Sequence, residues 1–419
     1  MNKQDLTLLT DLYELTMMQG YYKKGQHETV VFDVFYRHNP CGNGYSVCAG
    51  LDQVIDYIKN LNFTYEDVDY LRSLHIFDDD FLQYLSGFHF TGDIYAIPEG
   101  SVVFPKEPLL KVIAPIMEAQ LVETTILNLI NHQSLIATKT SRVVYAADGD
   151  GIMEFGLRRA QGPDAGIYGA RAAMIAGCIG TSNVLAGQMF DVPVKGTHAH
   201  SWIMTFPDEY TAFKYYAELY PDNCTLLVDT YDTLKSGVPN AIRVFQEFKD
   251  AGKPLKKYGI RLDSGDLAYL SKKARKMLDE AGLPDASICA SNDLDEYLLH
   301  DLKAQGAAIN SWGVGTHLIT SKDCPSFGGV YKLSAIKNEN GEFIPKIKIS
   351  ENTEKITNPG NKTIYRIYEK KSGKIKADLI CFSDEVIDIE QDLLLFDPIE
   401  TWKKTKLSGG TYTVREILV

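Results

Sequence analysis

From residue 151 onward the chain alternates short apolar segments with longer helical patterns, and this alternation restricts the possible folds more than any other feature. The apolar segments have strand character and lie at 152–155, 192–194, 225–230, 259–262, 287–290 and 309–313. Helical patterns lie between them at 207–220, 240–251, 267–281 and 294–305. Such units predict parallel strands joined by helices, in an α/β barrel or a doubly wound sheet. Polar residues follow the strand ends throughout, which favours the barrel and predicts a functional site at that edge.

The segments on either side of this repeat have other patterns. Residues before the repeat mix helical and strand patterns, with a long helical connection from about residue 117. Two hairpin patterns follow residue 328, with turns at 338–341 and 370–373. We therefore predict an N-terminal α+β lobe at 1–150, an α/β barrel carrying the active site at 151–328, and a strand-rich segment at 329–419 that packs on the lobe.

Length and charge limit the classes of partner. The chain has 419 residues, of which 45% are hydrophobic, so it can bury a large core. A net charge of -12 argues against a nucleic acid or an anionic membrane as partner, although a few converging cations could still bind small anions. The seven cysteines are dispersed without a C-x-x-C pair, which predicts reduced thiols in the cytoplasm. The sequence pattern predicts neither a signal peptide nor a membrane span.

The stretch 154–202 holds the densest set of candidate functional residues. Arg158 and Arg159 follow a predicted strand, where paired guanidinium groups could bind a carboxylate or phosphate; a solvated charge pair is the alternative. His198 and His200 follow another predicted strand, and both would point to the same side if that strand continued. This geometry would suit a metal ion, or one catalytic imidazole beside a packing partner.

A second cluster of candidates follows the strand at 259–262. Arg261 and Asp263 lie at its end, and Asp266 precedes the next helix. The two carboxylates could hold Mg²⁺ or ribose hydroxyls, and Asp263 could face a developing cationic sugar. The alternative is that Ser264 or Asp266 only caps the helix, which we expect for one of them.

Glycines mark the last predicted strand end. Gly313 and Gly315 flank Val314 and precede Thr316, so backbone amides there could surround a phosphate. Polar residues at 291–293 follow the neighbouring strand, where they could serve the site or cap a helix. Two glycines alone are weak evidence, but the same edge also carries arginines and aspartates.

Six ordered motifs together resemble the nicotinate phosphoribosyltransferases. They span Asp11 to Thr316 and read DLYELTM, EFGLRRAQGPDAG, GTSNVLAG, GTHAHSW, IRLDSGDL and WGVGT. The resemblance implies a type II phosphoribosyltransferase, with an N-terminal lobe, a modified, irregular α/β barrel and a homodimer that shares its active sites. It also implies the formation of nicotinate mononucleotide and diphosphate from nicotinate and 5-phosphoribosyl 1-diphosphate, with ATP hydrolysis coupled through a phosphohistidine. This would be the first step of NAD salvage from nicotinate.

The resemblance also implies a role for each matching residue. His200 would be the histidine that ATP phosphorylates, and it would be catalytic together with Arg261 and Asp263. The residues implied to bind nicotinate are Tyr13, Phe155, Arg158, Ser182, Thr197 and Arg261, with Tyr13 donated by the second subunit. Those implied to bind the phosphoribosyl group and its phosphate are Asp263, Asp266, Gly313, Gly315 and Thr316. Mg²⁺ is implied as the metal, held mainly by the substrate diphosphate.

Ser182 is the position that separates two related specificities. Similar enzymes that use nicotinamide carry an aspartate where this chain has Ser182. A carboxylate there would accept a hydrogen bond from an amide and repel nicotinate, so a neutral hydroxyl predicts nicotinate as the base.

Two alternatives from other classes stay open at this point. A metal-dependent hydrolase would use His198 and His200 as ligands, although few further ligands follow in the sequence. A non-catalytic nucleotide-binding protein on the same fold is the second, because a fold does not determine a function. The family's members often continue beyond residue 419, so we also expect a shortened last lobe.

Overall fold

The computed structural model describes residues 5–253, 255–351, 355–397 and 400–419. The chain divides into two compact units. The first unit comprises Met1–Ser134 together with Ser326–Val419, and the second comprises Leu135–Pro325. The sequence placed these boundaries at 150 and 328, whereas the observed boundaries are at 134 and 325.

Regular structure covers most of both units. The strands are β1 Thr29–Tyr36, β2 Ser46–Val47, β3 Asp93–Ala96, β4 Val102–Val103, β5 Leu110–Pro115, β6 Gly151–Glu154, β7 Gly180–Thr181, β8 Cys224–Leu227, β9 Tyr258–Leu262, β10 Ser287–Ser291, β11 Ser311–Val314, β12 Gly329–Lys337, β13 Phe343–Pro345, β14 Lys362–Glu369, β15 Ile375–Phe382, β16 Leu393–Phe396, β17 Lys404–Leu407 and β18 Tyr412–Glu416.

Both units contain helices. They are α1 Leu12–Lys24, α2 Leu51–Asn60, α3 Tyr65–Ser73, α4 Asp79–Leu85, α5 Ile116–Leu121, α6 Glu123–Ala146, α7 Pro163–Ile175, α8 Val184–Phe190, α9 His200–Met204, α10 Glu209–Leu219, α11 Val238–Asp250, α12 Leu267–Glu280, α13 Glu296–Ala304 and α14 Thr316–Ile319. Single turns of other helix types lie at Pro40–Gly42, Leu157–Arg159 and Thr233–Gly237.

The first unit is built on an antiparallel sheet in the order β13-β12-β1-β5-β3. All of β1 except Thr29 is buried, and β12 and β5 pair with it on either side. The C-terminal segment joins this sheet through β12, which pairs antiparallel with β1, and Phe32 stacks on Tyr331 with ring centroids 4.6 Å apart. The two hairpins predicted after residue 328 form as β12–β13 and β14–β15.

The second unit contains one parallel sheet in the order β7-β6-β11-β10-β9-β8. Helices connect the strands, which confirms the predicted α/β class. The sheet is curled, with β7 and β8 at its edges, and this makes the barrel a modified one. The second half of α6 belongs to this unit, and its Lys139 pairs with the buried Glu296 of α13 at 2.6 Å.

One predicted strand is wrong. Residues 192–194 form only a single parallel bridge, between Val194 and Thr181, while the strand at that edge is β7. Pro193 has no N–H to donate to a ladder, and α8 packs so closely that a Cβ on Gly187 would lie 2.3 Å from Cγ2 of Val194. The other five predicted strands in this half correspond to β6, β8, β9, β10 and β11.

Helices of the second unit start with side chains suited to capping. Asn183, Asp208, Asp266 and Asp295 precede α8, α10, α12 and α13, and each accepts a hydrogen bond from the backbone N–H three residues further on. This satisfies a backbone donor that would otherwise have no partner in the first turn. Three of these caps, Asn183, Asp266 and Asp295, place helix starts shortly after the carboxyl ends of β7, β9 and β10, where the candidate site lies.

All seven cysteines lie in the described parts of the chain and are free thiols. No helix within those parts is both long enough and apolar enough to cross a bilayer.

Candidate active site

The carboxyl edge of the parallel sheet brings together candidate residues from every strand. Because all six strands run in the same direction, the residues that follow them lie along one edge. In sheet order, these residues are Ser182 after β7, Phe155 after β6, Gly315 after β11, Ser291 at the end of β10, Asp263 after β9 and Asp229 after β8. Most of the predicted site residues are therefore in one unit and on one edge.

His200 is the first residue of α9 and lies among two carboxylates and a hydroxyl. Its Nδ1 is 3.1 Å from Oγ1 of Thr230. Its Nε2 is 3.7 Å from Oδ2 of Asp263 and 4.0 Å from Oδ1 of Asp229. The imidazole is 40% exposed, so a ligand from solvent can reach it. Carboxylates on the Nε2 side favour a hydrogen on that nitrogen and leave the lone pair on Nδ1.

His198 has a different environment and a packing role. Its ring lies edge-on to Tyr216, with centroids 4.6 Å apart, and its Nε2 accepts a hydrogen bond from the backbone N–H of Leu227 at 3.2 Å. Burial lowers the pKa of this imidazole to about 4. The neutral ring therefore fills the space between α10 and β8, and its acceptor nitrogen is not available to a metal.

The condition under which the two histidines would point to one side, a strand that continues through them, is not met. Lys195 makes the last backbone hydrogen bond at this edge, donating to the carbonyl of Thr181 at 2.8 Å. The chain then turns, and α9 begins at His200. The two rings therefore have different partners, and the metal-hydrolase alternative is left without its pair of ligands.

Arg261 and Asp263 meet Thr197 and Ser291 at the end of β9. The Arg261 guanidinium donates through Nη1 to the Thr197 hydroxyl, and its Nη2 lies 4.0 Å from Oδ1 of Asp263. The same Oδ1 accepts a hydrogen bond from the Ser291 hydroxyl. The buried Nε of Arg261 donates to no residue in the described parts of the chain, so this N–H is free for a ligand.

Asp229 is a buried carboxylate that is not among the site residues predicted from the sequence. Its side chain is only 2% exposed, and Oδ2 accepts from the backbone N–H of Asp263 at 3.0 Å and from the Ser264 hydroxyl at 2.5 Å. Its Oδ1 is buried and accepts no hydrogen bond from any described residue. Its position after a strand could have identified it, because polar residues follow the other strands as well. The predicted strand at 225–230 includes Asp229, however, whereas β8 ends at Leu227.

Asp266 caps α12, since its Oδ1 accepts from the backbone N–H of Tyr269 at 2.9 Å. Ser264, in contrast, hydrogen-bonds to Asp229. As expected, only one of Ser264 and Asp266 caps the helix, and it is Asp266. Asp266 is exposed, and its second oxygen stays available to a ligand.

Phe155 packs directly on the backbone at the end of β11. A Cβ on Gly313 would lie 2.4 Å from Cδ2 of Phe155, so only glycine allows this approach. The Phe155 N–H donates to the carbonyl of Val314 at 2.8 Å. Gly315 then precedes Thr316, the first residue of the short α14. Close packing against Phe155 therefore accounts for glycine at this strand end, in addition to any contact with phosphate.

Ser182 and Arg158 are both accessible from this edge. Ser182 is half-buried, and its N–H donates to the carbonyl of Glu154 at 2.9 Å. Arg158 and Arg159 lie in the exposed turn after β6, and no side-chain hydrogen bond or ion pair holds either one within the described residues. These guanidinium groups are free to bind an anion.

Backbone strain marks the end of β10. Asn292 and Asp293 have φ values of 104° and 39°, in the region that side chains other than glycine rarely adopt. Strained residues of this kind cluster where a site requires an unusual backbone direction. The predicted polar residues 291–293 thus form a strained turn beside Asp263 rather than a helix cap.

Tyr13 is outside the unit that carries the other candidates. It lies on α1 in the first unit, and its side chain is 47% exposed. A ring of this size at the surface is available to stack on a flat ligand.

The carboxylates at the edge offer oxygen ligands but no complete metal cage. Within the described ranges, no group of three or more His, Cys, Asp or Glu side chains could hold a metal ion. The free Oδ1 of Asp229 and the Oδ2 of Asp263 both face His200, and oxygen is the ligand that Mg²⁺ prefers. Two oxygens fit an ion that takes most of its ligands from substrate and water.

Comparison with protein-family models identifies matching regions along nearly the whole chain. The model of the nicotinate phosphoribosyltransferase N-terminal domain matches residues 8–131, and the model of the nicotinate phosphoribosyltransferase family matches residues 151–372. The model of the C-terminal domain of the same family matches residues 361–419.

Relatives and solved structures agree with these models. Nicotinate phosphoribosyltransferase of Bacillus subtilis is 51% identical over 398 residues, covering 95% of this chain and 80% of the relative. The Homo sapiens enzyme of that name is 32% identical, covering 93% of this chain and 82% of the relative. The crystal structure of human nicotinic acid phosphoribosyltransferase has a TM-score of 0.82 at 29% identity, covering 97% of this chain and 88% of that chain. With three family models matched in order and the fold shared, this chain is an enzyme of the nicotinate phosphoribosyltransferase family.

Proposed function

We propose that this enzyme transfers the phosphoribosyl group of 5-phosphoribosyl 1-diphosphate to nicotinate, which releases diphosphate. The observation that carries the proposal is that His200, Arg261 and Asp263 lie together at one sheet edge in a chain of this family. That edge offers free guanidinium groups for two anionic substrates and an aromatic ring for a flat base. The relatives' names support the same substrate, since they are nicotinate phosphoribosyltransferases.

The base would bind on the side of the edge formed by β6 and β7. Phe155 would stack on the pyridine ring, with Tyr13 of a second subunit on the opposite face. Arg158 and Arg261 would attract the nicotinate carboxylate, and the Thr197 and Ser182 hydroxyls would line the pocket. The Thr197 hydroxyl already accepts a hydrogen bond from Arg261. Both side chains would therefore be oriented for nicotinate before it binds.

The phosphoribosyl group would bind toward β9 and β11. Asp263, fixed by Ser291 and by the Asp229 contact to its N–H, would bind ribose hydroxyls, and Asp266 would contribute its free oxygen. The backbone after β11, at Gly313, Gly315 and Thr316, would contact the 5-phosphate. Departure of diphosphate would create cationic character at the ribose carbon, which the fixed Asp263 carboxylate would stabilise electrostatically, and the pyridine nitrogen would then attack.

ATP hydrolysis would be coupled to this reaction through phosphorylation of His200. The lone pair of Nδ1 faces the Thr230 hydroxyl, whereas Asp229 and Asp263 lie on the Nε2 side. A phosphoryl group on the imidazole would add negative charge beside the diphosphate path and change the affinity for the substrates. Because phosphorylation of His200 would change the binding energy of the substrates, it would alter KM for 5-phosphoribosyl 1-diphosphate as well as turnover.

Mg²⁺ fits the oxygen ligands at this edge, and Asp229 and Asp263 are the residues that would contribute to holding it. When bound, the ion would neutralise charge on the diphosphate leaving group.

The proposed setting is the cytoplasm, where the enzyme would act as a homodimer in NAD salvage from nicotinate. The net charge of -12 and the reduced thiols support a cytoplasmic enzyme with small-molecule substrates, rather than nucleic acid or membrane partners.

The test is an assay of diphosphate release with nicotinate, nicotinamide and quinolinate, each with and without ATP. We expect release with nicotinate, strongly stimulated by ATP and Mg²⁺, and little with the other two bases. Equal turnover of nicotinate and nicotinamide would contradict the specificity. Absence of release from all three bases would instead support a non-catalytic nucleotide-binding protein, and tightly bound zinc would revive the hydrolase alternative.

A further inference from the structure

Glu154, the last residue of β6, is a fully buried carboxylate without a cationic partner. No Lys, Arg or His in the described parts of the chain forms an ion pair with it. Burial raises the pKa of this carboxyl group. Burying an acid without an ion pair costs free energy unless hydrogen bonds compensate. The hydrogen bonds of Glu154 therefore indicate its structural role.

The Glu154 side chain joins the ends of two neighbouring strands. Its Oε1 accepts from the backbone N–H of Gly156, and its Oε2 accepts from the Thr181 hydroxyl at 2.6 Å. Its own carbonyl accepts from the N–H of Ser182 at 2.9 Å. The Thr181 hydroxyl oxygen in turn accepts from the N–H of Asn183 at 3.0 Å, which extends the network to the start of α8.

The turn after β6 has little freedom to shift away from this network. A Cβ on Gly156 would lie 2.9 Å from Oε1 of Glu154 and 2.5 Å from Cβ of Ile319, so the backbone is enclosed between the carboxylate and α14. Phe155 and Arg158 are on this turn, and Ser182 is on the segment across from it. One side chain therefore spans the two segments that carry these three candidate base-binding residues.

We propose that Glu154 is a positioning residue for the base pocket, which fixes the turn carrying Phe155 relative to Ser182. This inference rests on the proposed function of the site and deepens it. Glu154 does not contact the substrate; it acts through the backbone N–H of Gly156 and through Thr181. Its effect should be larger for the base than for the phosphoribosyl group, because Asp263 and Asp266, which are proposed for the ribose, follow β9, three positions away from β6 in the sheet.

The experiment compares KM for nicotinate and KM for 5-phosphoribosyl 1-diphosphate in the full-length enzyme. Glu154→Ala removes both acceptors, and Thr181→Val removes only the hydroxyl while keeping the side-chain shape. We expect both variants to raise KM for nicotinate, by roughly tenfold or more for Glu154→Ala, with KM for 5-phosphoribosyl 1-diphosphate within about threefold of wild type. If Glu154→Ala does not fold, Thr181→Val still tests the contact.

Glu154→Gln is the conservative variant that should rescue the pocket. Its amide oxygen can accept from Gly156, and its NH₂ group can donate to the Thr181 oxygen. We expect a nicotinate KM within about threefold of wild type. If Glu154→Gln is as impaired as Glu154→Ala, the charge or the proton of this group matters, and positioning by hydrogen bonds is the wrong account.

Glu296→Ala is the matched control, because it removes another buried carboxylate of the same unit, the partner of Lys139. It should lower the unfolding temperature without a selective change in KM for nicotinate. The inference fails if the Glu154 and Thr181 variants change both KM values equally or change neither. A wild-type enzyme inactive with nicotinate would instead overturn the proposed function itself, so the two failures are distinguishable.

Discussion

The two imidazoles at positions 198 and 200 are separated by one residue but have opposite chemical environments. His198 is buried against Tyr216 and donates or accepts only within the fold, and its pKa is lowered to about 4 by burial. His200 is partly exposed and faces Asp229, Asp263 and Thr230. A residue's role here therefore follows from its surroundings rather than from its type.

Replacing His200 by alanine should uncouple ATP hydrolysis from phosphoribosyl transfer. The variant should lose ATP stimulation and the ability to form a phosphohistidine, while it keeps some ATP-independent transfer because Arg261 and Asp263 remain. Phosphate and diphosphate release, measured in parallel with and without ATP, give the stoichiometry. His300→Ala, at an exposed histidine of α13, is the control and should behave as wild type. Full coupling in His200→Ala would remove His200 from this role.

Replacing Ser182 by aspartate should weaken the use of nicotinate. A carboxylate at this half-buried position would repel the nicotinate carboxylate, so we expect kcat/KM for nicotinate to fall by about a hundredfold, with a smaller effect on nicotinamide. Ser182→Asn is the matched control, because asparagine has nearly the same size as aspartate but carries no charge. The prediction is contradicted if the asparagine and aspartate variants discriminate between the two bases equally.

Among the larger elements, the C-terminal hairpin of β14 and β15 is held by a buried ionic cluster. Arg366 of β14 pairs with its cross-strand neighbour Asp378, with Nη2 2.6 Å from Oδ2, and also donates to the carbonyl of Val102. Glu107 accepts from the N–H of Phe104 and hydrogen-bonds to Asp378. The segment at 102–107 and the two strands of this hairpin are therefore joined around one guanidinium group.

The first unit should lose stability as the pH rises, because of Glu107. Burial and the adjacent Asp378 carboxylate raise the pKa of Glu107 above its ordinary value of 4.5. The folded protein then holds a proton that the unfolded chain releases, so the stabilisation is complete below the unfolded pKa and is lost as pH rises toward the folded one. We expect Glu107→Gln to flatten the pH dependence of the unfolding free energy between about pH 5 and about pH 8, an effect on the order of a few kcal/mol.

Chemical denaturation across this pH range measures the effect. Glu339→Gln, at an exposed position in the β12–β13 turn, removes the same charge and should leave the wild-type slope intact. An unchanged slope in Glu107→Gln would show that the proton resides elsewhere in the cluster.

At the scale of the whole molecule, the candidate residues are divided between two compact units. Tyr13 belongs to the first unit, whereas the residues from Phe155 to Thr316 belong to the second. A shared active site in a homodimer would join a Tyr13 from one subunit to the sheet edge of the other.

Mixing two inactive variants tests this sharing. Tyr13→Ala and Arg261→Ala, unfolded together and refolded as mixed dimers, should regain about a quarter of the wild-type activity, because one site of each heterodimer carries neither change. Asp263→Ala mixed with Arg261→Ala is the control and should regain none, since both changes lie in the same half of the site. No recovery in the first mixture would mean that each subunit completes its own site.

Much of the architecture follows from local patterns in the sequence. Five of six strands in the second half were predicted because fully buried parallel strands are short apolar runs between capped helices. The first boundary is observed at 134 rather than 150, inside the continuous helix α6, where no break in the sequence marks it. Asp229 and Glu154 were not selected, since each sits at the end of an apolar segment and only its contacts distinguish it.

The sequence by itself determined the alternation of strands and helices, the family motifs and the types of residue available at the strand ends, because these depend on periodicity and local order. Tertiary structure alone decided that His198 packs while His200 is partly exposed beside two carboxylates, that Asp229 supports Asp263, and that one buried carboxylate joins two strand ends. The reason is physical: burial and hydrogen-bond partners come from segments tens of residues away, and they set the charge, orientation and availability of each side chain.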